Sequence, residues 1–159
     1  MVLVNKYATM LLLILECTAY FLVWTLLLYW MHRAAHILPF LKTFHLGHHK
    51  FIIDNEPKWH WTNIFIFQDN TVSTIDVWLT EIIPTLLFCY ITGQWWIAVL
   101  FYIWSAFIQE AIEHNRTFDI FPISTSGKWH LVHHFDGPYN FGIFHPCWDW
   151  VFRTNRPSR

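Results

Sequence analysis

Three stretches of the chain are apolar over enough length to cross a bilayer. Residues 7–31 run for 25 positions with one acid, Glu16, among them. At about 1.5 Å of rise per residue, such a helix exceeds a hydrocarbon core of roughly 30 Å. It is too long for the apolar core of a signal peptide and no clear small-residue cleavage site follows it, so it reads as a retained span. The next apolar stretch, residues 74–111, is too long for one upright crossing. Thr92-Gly93-Gln94 stands at its middle as a turn signal, flanked by Tyr90, Trp95 and Trp96. Aromatic residues of this kind favour the membrane interface. The pattern predicts a hairpin of two short spans, residues 74–90 and 94–111, with Pro84 placed to kink the first. One long tilted helix is the alternative. Residues 55–70 mix charges with Trp59, Trp61, Ile64, Phe65, Ile66 and Phe67, and read as a segment lying on the bilayer surface. Residues 1–5 and 154–159 read as loose ends. The expectation is an all-α integral membrane protein. It is a single domain over residues 1–159, with about three transmembrane helices and a cytoplasmic, histidine-rich helical cap.

Composition agrees. Of the 159 residues, 55% are hydrophobic, 20% aromatic and only 13% charged, against roughly 25% charged in a typical soluble domain. That excludes a disordered chain and disfavours a soluble enzyme, which would have to expose too much apolar surface. The net charge of −1 leaves no electrostatic footprint for nucleic acid. Cys17, Cys89 and Cys147 have no CxxC spacing, which argues against a disulfide framework or a zinc ribbon. Lys and Arg are unevenly placed. Arg33, Lys42, Lys50 and Lys58 follow the first span; Arg116, Lys128, Arg153, Arg156 and Arg159 follow the hairpin; only Lys6 lies elsewhere. The positive-inside rule then puts both segments in the cytoplasm and the N-terminus outside.

The same two segments hold the unusual feature, 11 histidines. His32 and His36 are four apart and share a helical face. His45, His48 and His49 follow in an HxxHH pattern, His114 stands alone, and His130, His133 and His134 repeat HxxHH. Imidazole is a ligand for Fe, Zn, Cu and Ni. Nine imidazoles from four segments suit two metals with four or five ligands each. One HxxxH pair is weak, since an exposed helix face produces it by chance. Two HxxHH copies with it, on one side of the membrane, are hard to reconcile with surface histidines. His60 and His145 lack a partner at helical spacing and read as interface or supporting residues. HExxH and Glu-x-x-His are absent, which argues against a zincin and a carboxylate-bridged bundle site. Histidines flanking the spans argue against a bis-histidine haem. No Gly-rich phosphate loop and no GxSxG is present.

The order HxxxH, HxxHH, apolar hairpin, single His, HxxHH resembles the fatty acid hydroxylase and sterol desaturase superfamily. The tail strengthens the likeness: His133-His134, then Asn140-Phe141-Gly142, then Trp148-Asp149 with Phe152 and Thr154, although Arg153 stands where glycine is usual. His114-Asn115-Arg116 with Asp119 and Pro122 is similar to the family's single-histidine segment. The resemblance covers about residues 29–154. Members of the family usually have two spans before the first box, so this chain is a minimal version or its missing wall comes from a second copy.

The resemblance implies a membrane-bound, O₂-dependent, non-haem di-iron oxygenase that hydroxylates or desaturates a long-chain lipid such as a fatty acyl chain or sterol. The metal ligands would be His32, His36, His45, His48, His49, His114, His130, His133 and His134. Glu110, Glu113, Asp119, Asp136 and Asp149 are candidates for orienting the imidazoles. With no flavin, nicotinamide or iron–sulfur pattern in the chain, electrons would come from a separate ferredoxin or cytochrome. A carotenoid hydroxylase is the nearest alternative, although its first box and tail differ. A membrane zinc hydrolase or metal carrier is the alternative of another class, because the same imidazoles bind Zn²⁺. A carrier, however, would want ligands near the midplane.

Overall fold

The computed structural model describes residues 2–156, with side chains from Lys6 onward. Met1 and residues 157–159, Arg159 among them, lie outside the described residues. Among those described, the chain is helical with no strand; one isolated bridge joins Asp119 to Gly127. Helix α1 spans Val2–Ala35 and α2 spans Pro39–Asp54. A single 3₁₀ turn, Trp61–Phe65, follows. Helix α3 is Thr71–Thr92 and α4 is Trp95–Glu113. Two short helices close the fold, α5 at Lys128–Asp136 and α6 at Cys147–Val151.

Among the described residues three helices are long and apolar enough to cross a membrane: Lys6–Ala35, Thr71–Thr92 and Trp95–Glu113. This is the arrangement of an integral membrane protein. The expected hairpin is present, slightly longer at each end than the sequence suggests. Gly93, in the left-handed conformation at φ 74°, ends α3, and this turn rules out one long helix. Leu11, Leu12 and Leu13 of α1 are more than half exposed, as side chains facing lipid would be. The buried core sits where the three spans meet, around Trp24, Leu28, Val77, Phe88, Ile97 and Phe101. Trp24 Nε1 donates to Thr85 Oγ1 at 2.9 Å, so the indole N–H is satisfied across two spans, as a polar group out of reach of water requires.

Two wide turns interrupt the spans. Residues Trp78–Ile82 of α3 and Ser105–Glu113 of α4 wind as π-helix, a conformation found often at functional sites. The first lies just before Pro84, which has no N–H to donate. The second keeps Ser105, Gln109, Glu110 and Glu113 buried on one side.

The expected surface segment is the loop that carries the 3₁₀ turn. Trp61, Phe65 and Phe67 are exposed. Trp59 Nε1 donates to the Ala106 carbonyl at 2.9 Å and Tyr102 Oη to the Ile64 carbonyl at 3.0 Å, which ties the loop to α4. The expected loose end at Thr154 is corrected. Its N–H donates to the Asp149 carbonyl and its hydroxyl to Asp149 Oδ1, both at 2.8 Å. Its own carbonyl accepts from Asn140 N at 2.8 Å.

Candidate metal centre

Helix α1 runs past its apolar core and brings His32 to the site one turn before His36, which sits just beyond the helix end. Helix α2 brings His45, His48 and His49. Its approach to α3 depends on Gly47, where a Cβ would meet Val72 Cγ1 at 2.5 Å. His114 follows the π-wound end of α4, and α5 carries His130, His133 and His134. The fold therefore gathers all nine box histidines in one place. His60 and His145 stay apart. His60 caps the 3₁₀ turn by accepting from Thr62 N, and His145 Nε2 lies 3.1 Å from Thr25 Oγ1.

The nine rings form two adjoining clusters. His32, His36, His45, His49 and His133 bring one nitrogen each within 4.8 Å of one another. His48, His114 and His134 do the same, and His114 also groups with His130 and Glu113. Each HxxHH box is thus divided. His45 and His49, four apart, face the first cluster while His48 turns to the second. In α5 the pair His130 and His134 faces the second cluster while His133 turns to the first. Adjacent positions on a helix diverge by about 100°, so one box can serve two centres.

Ring nitrogens show what these clusters fit. His32 Nδ1 lies 2.8 Å from the Phe141 carbonyl and His133 Nδ1 lies 2.8 Å from the Tyr139 carbonyl. A carbonyl only accepts, so both Nδ1 atoms carry hydrogen and, in neutral rings, both Nε2 atoms are bare. Those two bare nitrogens are 2.8 Å apart. His36 Nε2 is 3.1 Å from His133 Nε2 and 2.9 Å from His45 Nε2, which is 3.1 Å from His49 Nε2. Two nitrogens held about 2.0–2.1 Å from one metal and at right angles lie about 3 Å apart. In the second cluster His114 Nδ1 donates to the Gln109 carbonyl at 3.1 Å, and its bare Nε2 is buried with no partner. The residues fit metal ions in both clusters.

Burial sets the charge state. Burial, reinforced by neighbouring imidazoles, holds His45, His48, His130, His133 and His134 well below the usual histidine range. His36 and His114 are pushed down to about 4 and His49 to about 3, again chiefly by burial. The rings are neutral near pH 7 and offer lone pairs, the form a metal needs.

The groups beside the rings match those expected only at Glu113. Asp76, unremarked in the sequence, accepts from His45 Nδ1 at 2.9 Å, and Ser73 Oγ lies 3.1 Å from His48 Nδ1. A carboxylate inside an apolar span is itself a functional signal, and it could have identified Asp76. Glu113 is near the rings, with Oε1 3.8 Å from His130 Nδ1 and both atoms otherwise without a partner. Among the described residues Asp149 hydrogen-bonds to no imidazole. It accepts from Phe141 N at 2.8 Å and Gly142 N at 2.9 Å, and so fixes the loop whose carbonyls hold His32 and His133. Glu110 is buried with one oxygen unpartnered. Asp119 instead accepts from Phe121 N in its own loop. Asp136 pairs with Arg156 at 2.6 Å on the surface.

A cavity of about 20 Å³ lies against both clusters, lined by Asp76, Thr80, Glu81, Gln109, Glu113 and Ile143 besides six histidines. That is room for about one water-sized occupant.

The family model described as fatty acid hydroxylase matches residues 17–154, from within α1 to the tail loop. The chain belongs to the fatty acid hydroxylase family. No curated protein and no solved structure matches it. Within this family a lipid hydroxylase or desaturase is the expected activity, and the paired histidine clusters are the part of the chain that could hold its metal.

Proposed function

We propose that this fatty acid hydroxylase family member is a membrane non-haem di-iron oxygenase. Its reaction would be hydroxylation of a long-chain lipid, with fatty acyl ahead of sterol and carotenoid. The observation that carries this reading is the division of nine buried imidazoles into two adjoining clusters, one of five, with bare nitrogens converging in each. Bound iron would supply O₂ reduction and attack on an unactivated C–H bond: RH, O₂, two electrons and two protons give ROH and water.

The protein's own residues do the rest. Nine histidines hold the metals. Asp76, Ser73 and the carbonyls of Gln109, Tyr139 and Phe141 set which ring nitrogen faces inward. An HxxHH pair at each centre fixes spacing by helix geometry rather than by loop conformation. The apolar spans give access to greasy substrates. The electrons would arrive from a separate ferredoxin-type or cytochrome-type protein docking on the cytoplasmic face, where the positive-inside pattern puts both histidine segments.

Expression with a reductant partner, followed by lipid mass spectrometry, tests the reading. A lipid gaining about 16 mass units, labelled from ¹⁸O₂ and not from water, is expected of a mono-oxygenase. Loss of two hydrogens instead would assign desaturation at the same centre. No lipid change, with zinc bound and a hydrolytic product present, would overturn the oxygenase reading.

A further inference from the structure

Every residue lining the small cavity beside the histidines is polar except Ile143. An unactivated C–H bond cannot approach through carboxylates and amides without a large desolvation cost. Ile143 is the one apolar door. It also belongs to the core packed among the spans, where it is 6% exposed.

Its neighbour Phe144 faces elsewhere. It lines a groove of about 460 Å³ walled by Phe21 of α1, by Leu100, Ile103, Trp104 and Ile108 of α4, and by Ile123, Ser124 and His145 of the loops. Phe21 and the four α4 residues belong to two candidate spans, so a bilayer crossed by those spans would set hydrocarbon chains against this apolar wall. The partition between groove and cavity is therefore the segment Ile143–Phe144. Its backbone is fixed by the fully buried Thr125, whose hydroxyl donates to the Ile143 carbonyl and whose N–H donates to the Phe144 carbonyl at 3.3 Å. The side chains are left as the adjustable part. Phe144 packs against Trp104 and Trp24 at ring-centroid distances of 4.6 and 4.9 Å.

We propose that this groove takes one hydrocarbon chain of a membrane lipid, entering sideways between α1 and α4. Ile143 and Phe144 then set how far the chain reaches toward the histidines, and so which carbon reacts. The second half rests on the oxygenase reading; the binding of the chain does not.

The test uses the full chain in detergent micelles with a palmitic acid carrying a mid-chain photoreactive diazirine. Adducts mapped by mass spectrometry should appear at Phe144 and Trp104. Excess unmodified palmitic acid should suppress them several-fold, while labelling at the lipid-facing Leu12 should persist. Labelling at Phe144 that excess palmitic acid leaves unchanged, or that never appears, overturns the groove. In the iron-loaded protein with reductant, Phe144→Ala and the conservative Ile143→Val should each move the position of oxygen along the product chain, with metal content checked in each variant. Saturable labelling with neither an oxygenated nor a desaturated lipid would overturn the oxygenase reading and leave the groove standing. Oxygenation at an unchanged carbon in both variants would remove Ile143 and Phe144 from the role assigned to them.

Discussion

His32 Nε2 and His133 Nε2 face each other at 2.8 Å although neither carries a hydrogen, because each ring has already given its Nδ1 hydrogen to a backbone carbonyl. Two lone pairs at that distance repel unless a cation lies against both. The pair comes from helices α1 and α5, a hundred residues apart in sequence, and the same logic extends to His36, His45 and His49. The division into two clusters then makes a stoichiometric prediction. Alanine at His133 should empty the first centre and alanine at His48 should weaken the second. Each should lower the metal-to-protein ratio by half or more and abolish oxygenation. Alanine at His60, which only caps a 3₁₀ turn, should leave the ratio intact. Elemental mass spectrometry of purified variants decides it, and equal metal retention in all three would remove the assignment.

Asp149 supports the first centre from behind. It is fully buried and accepts two backbone N–H groups and the Thr154 hydroxyl. Removing a buried acceptor leaves each donor unsatisfied at a cost of about 1–3 kcal/mol. Asp149→Ala should therefore destabilise the protein by several kcal/mol and lower metal occupancy, while Asp136→Ala, which breaks an ion pair at the surface, should cost about 0–1 kcal/mol. Gly142→Ala should resemble Asp149→Ala, since a Cβ there would meet Asp149 Oδ2 at 2.8 Å and the His145 carbonyl at 2.7 Å. Thermal unfolding with parallel metal analysis separates the three.

The spans and the histidine boxes were legible because both rest on local periodicity. An apolar run of membrane length and an i, i+4 histidine pair declare themselves within one helix. The turn at Gly93 was legible for the same reason. The division of each HxxHH box between two centres depends on which helices stand opposite, so spacing alone does not assign it. The Trp148-Asp149 motif marks Asp149 as a site residue but does not give its contact. Its partners, Phe141 and Gly142, lie in a loop whose path no periodicity describes. Asp76 escaped notice because an apolar pattern treats a single acid as an interruption, whereas in a span it is the informative residue.

Asp76 gives a sharp test of ring orientation. Its Oδ2 holds His45 Nδ1 at 2.9 Å, which leaves Nε2 pointing into the first cluster. Partners of this kind are worth 10–100-fold in metal affinity. Asp76→Ala should lower affinity within that range while Asp76→Asn, which keeps an acceptor oxygen, should lose less. Competition with a chelator of known affinity measures both. Equal losses in the two variants would show that charge, not orientation, is what Asp76 contributes.

Orientation in the membrane is testable at Asn115, which with Thr117 forms a glycosylation sequon. Its Oδ1 accepts from Thr117 N and Phe118 N, so the side chain is engaged and a missing glycan says little by itself. A glycan present on Asn115 in a eukaryotic host would put the histidines on the lumenal side and invert the proposed topology. The positive test is a reporter fused at either end: an N-terminal tag should be reached by protease added from outside the cell, and a C-terminal tag should be protected.

Acid should destabilise the metal-free fold in a defined window. His36 and His114 are held at about 4 and His49 at about 3, below the ordinary 6.5, mainly by burial. Above pH 6.5 the folded and unfolded chains are both neutral at these rings, which then add no pH dependence. As pH falls below 6.5 the unfolded chain takes up protons that the folded chain refuses, so unfolding becomes easier. The loss continues down to about pH 4, where the folded rings begin to protonate as well. The thermal midpoint of metal-free protein in detergent should therefore fall steadily between pH 6.5 and 4. Metal-loaded protein should fall less, because metal-bound nitrogens resist protonation until the metal itself is displaced. Replacing His36 with Gln should flatten the slope by removing one proton from the difference. A midpoint independent of pH across that window would mean that the rings are not buried neutral in the folded state.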